Sequence, residues 1–207
     1  MTEPTFVRVA ILISGSGSNM ETLVKSMTGD HPGRPVLVIS DKPHAAGLGK
    51  AAALGVRVEV HEKRKPGQTA RSDDPTQEFE AALDAALQKV AADVICLAGF
   101  MRILSADFVS KWAGKIINIH PSLLPKHKGL HTHRKVLEAG ETEHGCTVHM
   151  VTAALDDGPI LGQARIDVRP GDDVDSLAAR LLPLEHQLYA QTLRRFAAGE
   201  QARFDLT

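Results

Sequence analysis

The 207-residue sequence has an ordinary globular composition, with 43% hydrophobic and 24% charged residues, and its length suits one domain with a sizeable core. Its 24 Lys and Arg against 25 Asp and Glu give a net charge of -1, so we expect no general attraction to nucleic acid or to an acidic membrane surface. The apolar runs are strand-sized and the N-terminus lacks a cleavable apolar segment, which predicts a soluble cytoplasmic protein. Cys96 and Cys146 lie in apolar runs and are expected to be reduced core thiols.

In the first half of the chain, short apolar runs alternate with helix-like segments, which predicts parallel strands joined by helical crossovers. The predicted strands cover residues 6–14, 35–40, 56–60 and 93–99. The predicted helices cover residues 19–27, 45–55 and 76–90. We therefore expect an α/β fold with an open, mostly parallel, twisted sheet that has helices on both faces.

After the apolar run KIINI the pattern changes. Two strand-like runs, 145–153 and 158–168, are joined by the turn-rich sequence LDDG, which predicts an antiparallel addition in the C-terminal part. A final helix is expected from Val174 past residue 190, with a kink at Pro183. The charged segment 61–75 is expected to form a mobile surface loop. All of the chain is predicted to be one domain.

The sequence ILISGSGSNMETL leads a strand into a glycine loop, residues 15–18, and then into a helix. Backbone N–H groups and the positive end of the helix dipole would face a ligand there, and phosphate is the natural anion. A dinucleotide site is an alternative, because Gly15 and Gly17 are followed by Asp41 at a suitable distance. Met20 stands where the third glycine of that motif belongs, which disfavours it. A tight turn with a side-chain cap is the structural alternative.

The run IINIHPSLLP carries two polar side chains inside an apolar segment. Asn118 and His120 are two positions apart, so they project from one side of the strand near its carboxyl end, where ligands bind in open α/β sheets. Asn offers an N–H donor and His can pass a proton near neutral pH, so the pair suits a developing oxyanion. Asp156, in the turn LDDGP, would orient or protonate His120. Satisfied core hydrogen bonds and an ordinary turn are the alternatives.

Six histidines between positions 120 and 149 raise the question of a metal site. They are His120, His127, His131, His133, His144 and His149. No HExxH sequence occurs, and HTH near a helix start would place its two histidines on different faces. We therefore predict no metal.

Five motifs occur in order across most of the chain. They are SGSGSN (14–19), LAGFMRIL (97–104), NIHPSLLP (118–125), HGCTVHMV (144–151) and LDDGPI (155–160). Together they resemble the folate-dependent formyltransferases, in particular the phosphoribosylglycinamide formyltransferases. NIHPSLLP followed by D-x-GP is shared by the wider group, which includes methionyl-tRNA formyltransferase and formyltetrahydrofolate hydrolase. The GSGSN loop and the short chain without an extra domain favour the purine enzymes.

The resemblance implies a formyltransferase-like fold that acts on glycinamide ribonucleotide and 10-formyltetrahydrofolate. It also implies a monomer or homodimer, with a nucleotide-phosphate half at about 1–100 and a folate and catalytic half at about 97–207. Gly17, Ser18 and Asn19 would hold the ribose phosphate, and Glu185 would contact the nucleotide. The residues that would bind the folate are Met101, Arg102, Ile103, Leu104, Asn118, Thr152, Ala153 and Asp156.

By the same resemblance, the substrate amine attacks the formyl carbon, and Asn118 with protonated His120 meets the resulting oxyanion. Asp156 supports the protonation of His120 and helps to relay the amine proton. These three residues are the predicted catalytic group.

Three positions depart from the pattern of the family. Residues 152–154 lack an acid that relatives commonly carry, and Asp157 stands where glycine or threonine is usual. A folate-contacting arginine of some relatives falls near Thr76, and whether Arg71 replaces it stays open. Three other functions also stay open: a hydrolase that gives the formyl group to water, an NAD(P)-dependent oxidoreductase, and a non-catalytic ligand-binding module.

Overall fold

The computed structural model describes residues 6–63 and 74–206 and contains an eight-stranded sheet. Its strands are β1 (Val7–Ile13), β2 (Gly33–Ser40), β3 (Val58–Val60), β4 (Val94–Leu97), β5 (Ile116–His120), β6 (Glu143–Met150), β7 (Ile160–Asp167) and β8 (Phe204–Leu206). They lie in the order β3-β2-β1-β4-β5-β6-β7-β8. β6 pairs antiparallel with both β5 and β7, and the other neighbouring pairs are parallel. The expected mostly parallel sheet with an antiparallel addition near its C-terminal end is therefore confirmed.

Six helices surround the sheet in the described ranges. They are α1 (Ser18–Ser26), α2 (Ala46–Ala53), α3 (Pro75–Lys89), α4 (Ala106–Lys111), α5 (Thr132–Glu138) and α6 (Val174–Ala197). α1 and α6 pack against one face of the sheet through Leu23 and Leu188, whereas α3 and α4 pack against the other through Leu83 and Phe108. Helices thus lie on both faces, as predicted, and the sheet separates two apolar layers.

The chain order places a topological switch between β1 and β4. β2 and β3 extend the sheet to one side of β1, and the chain then returns to add β4 on the other side. Loops at such a switch leave neighbouring strand ends in different directions and open a crevice, which is where ligands bind in open α/β sheets. The glycine loop follows β1, and residues 98–105 follow β4. The fold therefore brings these two motifs to one edge.

Helix α6 holds the central strands in place. It is one continuous helix through Pro183, where the sequence predicted a kink. The Oη atom of the fully buried Tyr189 lies 3.1 Å from both Leu97 O and Ile117 O. This contact ties α6 to β4 and β5, the strands from which the candidate site extends.

Several parts of the chain were not predicted or stay untested. α4, α5 and β8 contain 6, 7 and 3 residues, too few for apolar periodicity to identify them. Within the predicted surface loop 61–75, residues 64–73, and with them Arg71, lie outside the described residues. The single-domain organisation stays a prediction, although every described strand belongs to one sheet.

The two cysteines are free and buried in the core. Burial raises the pKa of both thiols, that of Cys96 to about 12, so neither Cys96 nor Cys146 is a reactive thiolate near neutral pH. Within the described ranges, no helix combines the length and the apolar character needed to cross a membrane.

Candidate active site

The glycine loop turns the chain from β1 into α1 through a left-handed residue. Gly17 has φ +70 and is the N-cap of α1, and a Cβ at this position would lie 2.6 Å from Gly47 Cα. A side chain would therefore be strained in conformation and would clash with backbone. The N-cap offers no side-chain hydrogen bond to the first turn, so the N–H groups that begin at Ser18 are suited to bind an anion.

Asn19 and Glu185 meet beside this loop although they are far apart in sequence. Asn19 Nδ2 donates to Glu185 Oε2 at 3.0 Å and joins the start of α1 to α6. Burial raises the pKa of Glu185, and the hydrogen bond from Asn19 only partly offsets this. Asn19 Oδ1 is buried and has no hydrogen-bond partner among the described residues. The pair therefore has unused hydrogen-bonding capacity where a ribose hydroxyl or an amine could bind.

Ser14 connects the glycine loop to the segment that follows β4. The Ser14 N–H donates to Gly99 O at 3.1 Å, and Ser14 Oγ accepts from the Met101 N–H at 2.8 Å. On the other side, Arg102 Nε donates to Oδ2 of the buried Asp41 at 2.7 Å. These contacts fix the position of the segment 99–102 relative to β1 and β2.

A cavity of about 550 Å³ lies against this segment. Its walls include all eight residues predicted to bind folate: Met101, Arg102, Ile103, Leu104, Asn118, Thr152, Ala153 and Asp156. Several of its apolar side chains are unusually exposed, among them Met101 at 65% and Ile103 at 79%. The predicted nucleotide contacts Gly17, Ser18 and Asn19 and Glu185 lie outside this lining. Exposed apolar side chains on a concave wall are typical of a site for a flat, partly apolar ligand.

Asn118 is oriented by a histidine from the neighbouring strand. Asn118 and His149 are register partners in β5 and β6, and Asn118 Nδ2 lies 3.2 Å from His149 Nε2. Met150 O can only accept, and it lies 2.8 Å from His149 Nδ1, so Nδ1 carries the hydrogen. In the neutral ring Nε2 then accepts from Asn118. One hydrogen of the Asn118 amide nitrogen is thereby used, and the second is available to a ligand.

His120 lies at the end of β5 between two acceptors. Its Nε2 donates to His127 O at 3.1 Å, and its Nδ1 lies 3.5 Å from Asp156 Oδ2. Burial lowers the pKa of His120, and the His127 carbonyl and the charge of Asp156 only partly compensate. The imidazole is therefore mainly neutral at pH 7 in this structure, and a protonated His120 at the oxyanion stays a prediction. An imidazolium that forms during a reaction would find both partners in place.

Asp156, in the turn between β6 and β7, contacts both His120 and His149. Its Oδ1 lies 3.7 Å from His149 Nε2, and its Oδ2 accepts from the Gly129 N–H at 2.8 Å. Burial alone would raise the pKa of Asp156, but the charge that His149 and His120 carry when protonated, together with the Gly129 N–H, outweighs it and lowers the pKa to about 2. Asp157 instead pairs with Lys128 at the surface, so the geometry favours Asp156 as the functional acid.

The remaining histidines form no metal group. His133 Nδ1 lies 2.9 Å from His144 Nε2, and burial lowers the pKa of His144 to about 4. Between residues 6–63 and 74–206, no three His, Cys, Asp or Glu side chains are arranged to hold a metal ion.

Comparisons with known proteins show the family of the chain. The profile of the family described as "Formyl transferase" matches residues 7–193, which is most of the chain. The chain belongs to the formyl transferase family. This formyl transferase is 41% identical over 194 residues to the phosphoribosylglycinamide formyltransferase of Escherichia coli (strain K12), covering 93% of the chain and 88% of that protein.

A second relative is much longer. The chain is 43% identical over 194 residues to the trifunctional purine biosynthetic protein adenosine-3 of Gallus gallus. The match covers 93% of this formyl transferase and 19% of that protein, so the chain spans about a fifth of the trifunctional relative.

Solved structures of formyl transferases have the same fold. Phosphoribosylglycinamide formyltransferase from Brucella melitensis superposes with a TM-score of 0.86 at 46% identity, over 94% of this chain and 97% of that one. Glycinamide ribonucleotide transformylase 1 from Symbiobacterium toebii superposes with a TM-score of 0.86 at 40% identity, over 96% and 92% of the two chains.

The place of His149 in the site of this formyl transferase is not predicted by its sequence. His149 is fully buried and contacts both Asn118 and Asp156, yet it was considered only as a metal ligand. A period-2 pattern places Thr147 and His149 on one face of a strand, but only the register with β5 sets His149 opposite Asn118.

Proposed function

We propose that this chain transfers the formyl group of 10-formyltetrahydrofolate to the amine of glycinamide ribonucleotide, a step of de novo purine biosynthesis. One observation carries the proposal: Asn118, His120 and Asp156 converge on a cavity at the topological switch, next to an uncapped helix start. The relatives from Escherichia coli and Brucella melitensis, both phosphoribosylglycinamide formyltransferases, support glycinamide ribonucleotide as the formyl acceptor.

Each substrate has a region whose chemistry fits it. The first-turn N–H groups of α1, after Gly17, suit the ribose phosphate, and Glu185 with Asn19 suits a hydroxyl or an amine of the nucleotide. The 550 Å³ cavity lies within the range of sites for ligands of drug size, and its exposed apolar wall at Met101 and Ile103 suits a pterin ring. Backbone groups of the segment 101–104 would supply polar contacts to the ring edge.

Formyl transfer forms a bond from the amine nitrogen to the formyl carbon, breaks the bond from that carbon to N10 of the folate, and moves one proton from the amine to N10. The formyl oxygen carries negative charge in between. Asn118 would donate its second amide hydrogen to that oxygen, because the first is held by His149.

His120 would carry the proton. The neutral ring carries its hydrogen on Nε2, so it takes the proton of the attacking amine at Nδ1 and later gives it to the leaving N10. While it is charged, Asp156 and the carbonyl of His127 stabilise it, and the imidazolium also attracts the oxyanion. Asp156, with a pKa of about 2, stays ionised throughout and needs no proton of its own.

A deformylation assay tests this proposal. The protein is mixed with 10-formyltetrahydrofolate, with and without glycinamide ribonucleotide, and tetrahydrofolate release is followed. We expect release that requires the nucleotide, and Asn118→Ala and His120→Ala should each reduce kcat by roughly 10²-fold or more while far-UV circular dichroism stays unchanged. Release that ignores the nucleotide would instead indicate the hydrolase, and near-wild-type turnover in either variant would remove that residue from the mechanism.

A further inference from the structure

A buried polar row crosses the sheet directly beside His120. His120, Thr147 and Gln163 are successive register partners in β5, β6 and β7, so their side chains lie on one face. Thr147 and Gln163 are 0% and 2% exposed. Polar side chains this deeply buried keep their place only when their hydrogen bonds are satisfied. The hydrogen bonds of this row show which backbone segment it binds.

All side-chain hydrogen bonds of Thr147 with described residues go to the chain that follows His120 or to Gln163. Thr147 Oγ1 donates to Ser122 O at 2.7 Å and accepts from the Leu124 N–H at 3.1 Å and from Gln163 Nε2 at 2.9 Å. Gln163 Nε2 also donates to Leu124 O at 3.0 Å. A hydroxyl has one donor and two acceptor positions, so Thr147 is saturated. The row therefore binds the backbone of residues 122–124 at three points.

The same segment returns to His120. Ser122 Oγ donates to Lys126 O at 2.7 Å, and the next carbonyl, His127 O, accepts from His120 Nε2 at 3.1 Å. The backbone segment 121–127 thus directly follows His120 and ends with a carbonyl that accepts a hydrogen bond from the His120 ring. A shift of residues 122–124 would move the carbonyl that orients the imidazole.

Arg203 and Leu124 O together set the orientation of the Gln163 amide. Leu124 O can only accept and the guanidinium of Arg203 can only donate. Arg203 Nη2 lies 2.8 Å from Gln163 Oε1, which leaves Nε2 on the side of Leu124 and Thr147. Arg203 is half-exposed and lies outside the range 7–193 that matches the family. A half-exposed residue just before the last strand thereby supports the orientation of a buried amide.

We propose that Arg203, Gln163 and Thr147 are positioning residues that fix the segment 121–127 and, through it, the ring of His120. The inference rests on the proposed function for its kinetic consequence, but its geometric content concerns His120 alone. Displacing a catalytic group by about 1 Å can reduce turnover by roughly 10²-fold, so partial release of this segment should reduce it by roughly 10-fold.

The test uses the full chain with Arg203→Met, which is partly exposed and leaves the buried side chains intact. We expect kcat to fall roughly 10-fold with the KM values of both substrates unchanged. NMR titration of the His120 ring, assigned with His120→Asn, should show a lower pKa, because the raising contact with His127 O is weakened. The matched control is Asp205→Asn, which removes the other partner of Arg203 at 3.4 Å and should behave like the wild type.

A second pair of variants distinguishes a loss of positioning from a loss of folding. Thr147→Val removes the hydroxyl and Thr147→Ser keeps it, so serine should retain the wild-type kcat and His120 titration, whereas any folded Thr147→Val should lose both. The NMR titration reports only folded molecules, so it separates positioning from instability. Wild-type kcat and wild-type His120 titration in Arg203→Met would overturn the inference. A wild-type protein without nucleotide-dependent turnover would refute the proposed function instead, and the titration would still decide the positioning role.

Discussion

Replacing Asp156 by Asn removes one charge and keeps the size of the side chain. Asp156 Oδ2 lies 3.5 Å from His120 Nδ1, and both side chains are less than a tenth exposed, so solvent screens them little. Two unit charges about 4 Å apart attract by about 4 kcal/mol at an effective dielectric constant near 20. If that attraction stabilises the imidazolium during the reaction, its loss corresponds to a kcat roughly 10²- to 10³-fold lower.

The pH dependence of Asp156→Asn has a defined sign. The charge of Asp156 raises the pKa of His120, so the variant should have a lower His120 pKa still. Because the neutral ring is the working form, the acid limb of kcat should move to lower pH while the plateau falls. Steady-state deformylation measured across about pH 5 to 9 gives both quantities. An unchanged plateau together with an unchanged acid limb would refute the role assigned to Asp156.

The same variant changes stability. The pKa of Asp156 falls from 3.8 to about 2 on folding, which corresponds to about 2.5 kcal/mol. That contribution is present above about pH 4 and is lost as the pH falls through about 2, so the difference between variant and wild type in urea unfolding should shrink over this window. Asp157→Asn is the matched control, since its exposed ion pair should contribute less than about 1 kcal/mol and leave kcat unchanged.

Three further changes test other parts of the site. His149→Ala removes the acceptor that orients the Asn118 amide, so we expect kcat to fall roughly 10-fold or more in steady-state assays while both KM values stay unchanged. Glu185→Gln should raise the KM for glycinamide ribonucleotide roughly 10-fold with little change in kcat, because a hydrogen bond to a charged group is lost in ground and transition states alike. In the wild type the same KM should rise as the pH falls toward the raised pKa of Glu185. Gly17→Ala should lower the free energy of unfolding by more than about 1–2 kcal/mol, because the clash with Gly47 adds to the left-handed strain.

Each of these has a comparison that could contradict it. Gly29→Ala is matched to Gly17→Ala, since Gly29 also has a positive φ, +56, but nothing lies within 4 Å of its added Cβ. Equal destabilisation of both variants would show that the contact with Gly47 contributes nothing. An unchanged nucleotide KM in Glu185→Gln would exclude Glu185 from the nucleotide site. A wild-type kcat in His149→Ala would mean that Asn118 needs no orienting partner.

Much of the fold could be predicted because most of its strands and its longer helices are recognisable from local sequence patterns. The alternation of apolar runs with helix-like segments gave the parallel half, and the turn LDDG gave the antiparallel addition. The strand β8 was not predicted because three residues are too few to show a detectable periodicity. Its partner β7 is recognisable from sequence, but their pairing is a tertiary contact.

The candidate site, too, contains residues that could be predicted from the sequence and others that could not. Asn118 and His120 could be placed together because two positions in one strand share a face, and the glycine loop because a strand-to-helix turn needs a left-handed residue at Gly17. His149 depended on strand register, and the depressed pKa of His120 depended on burial, which no local pattern reports. Without the family resemblance, the sequence would predict Glu185 to be an exposed helix residue.

The hydroxyl of Ser14 has a further consequence for the two-substrate reaction. It joins the loop that would hold the nucleotide to the wall that would hold the folate, through the Met101 N–H and beside the Gly99 carbonyl. Two reactants held in one rigid frame react as if each were present at an effective molarity far above any cellular concentration. The separation between amine and formyl carbon would then be set by the hydrogen bonds from Ser14, after β1, to residues 99 and 101, after β4, so the entropy that free reactants lose on meeting is already lost when both substrates are bound.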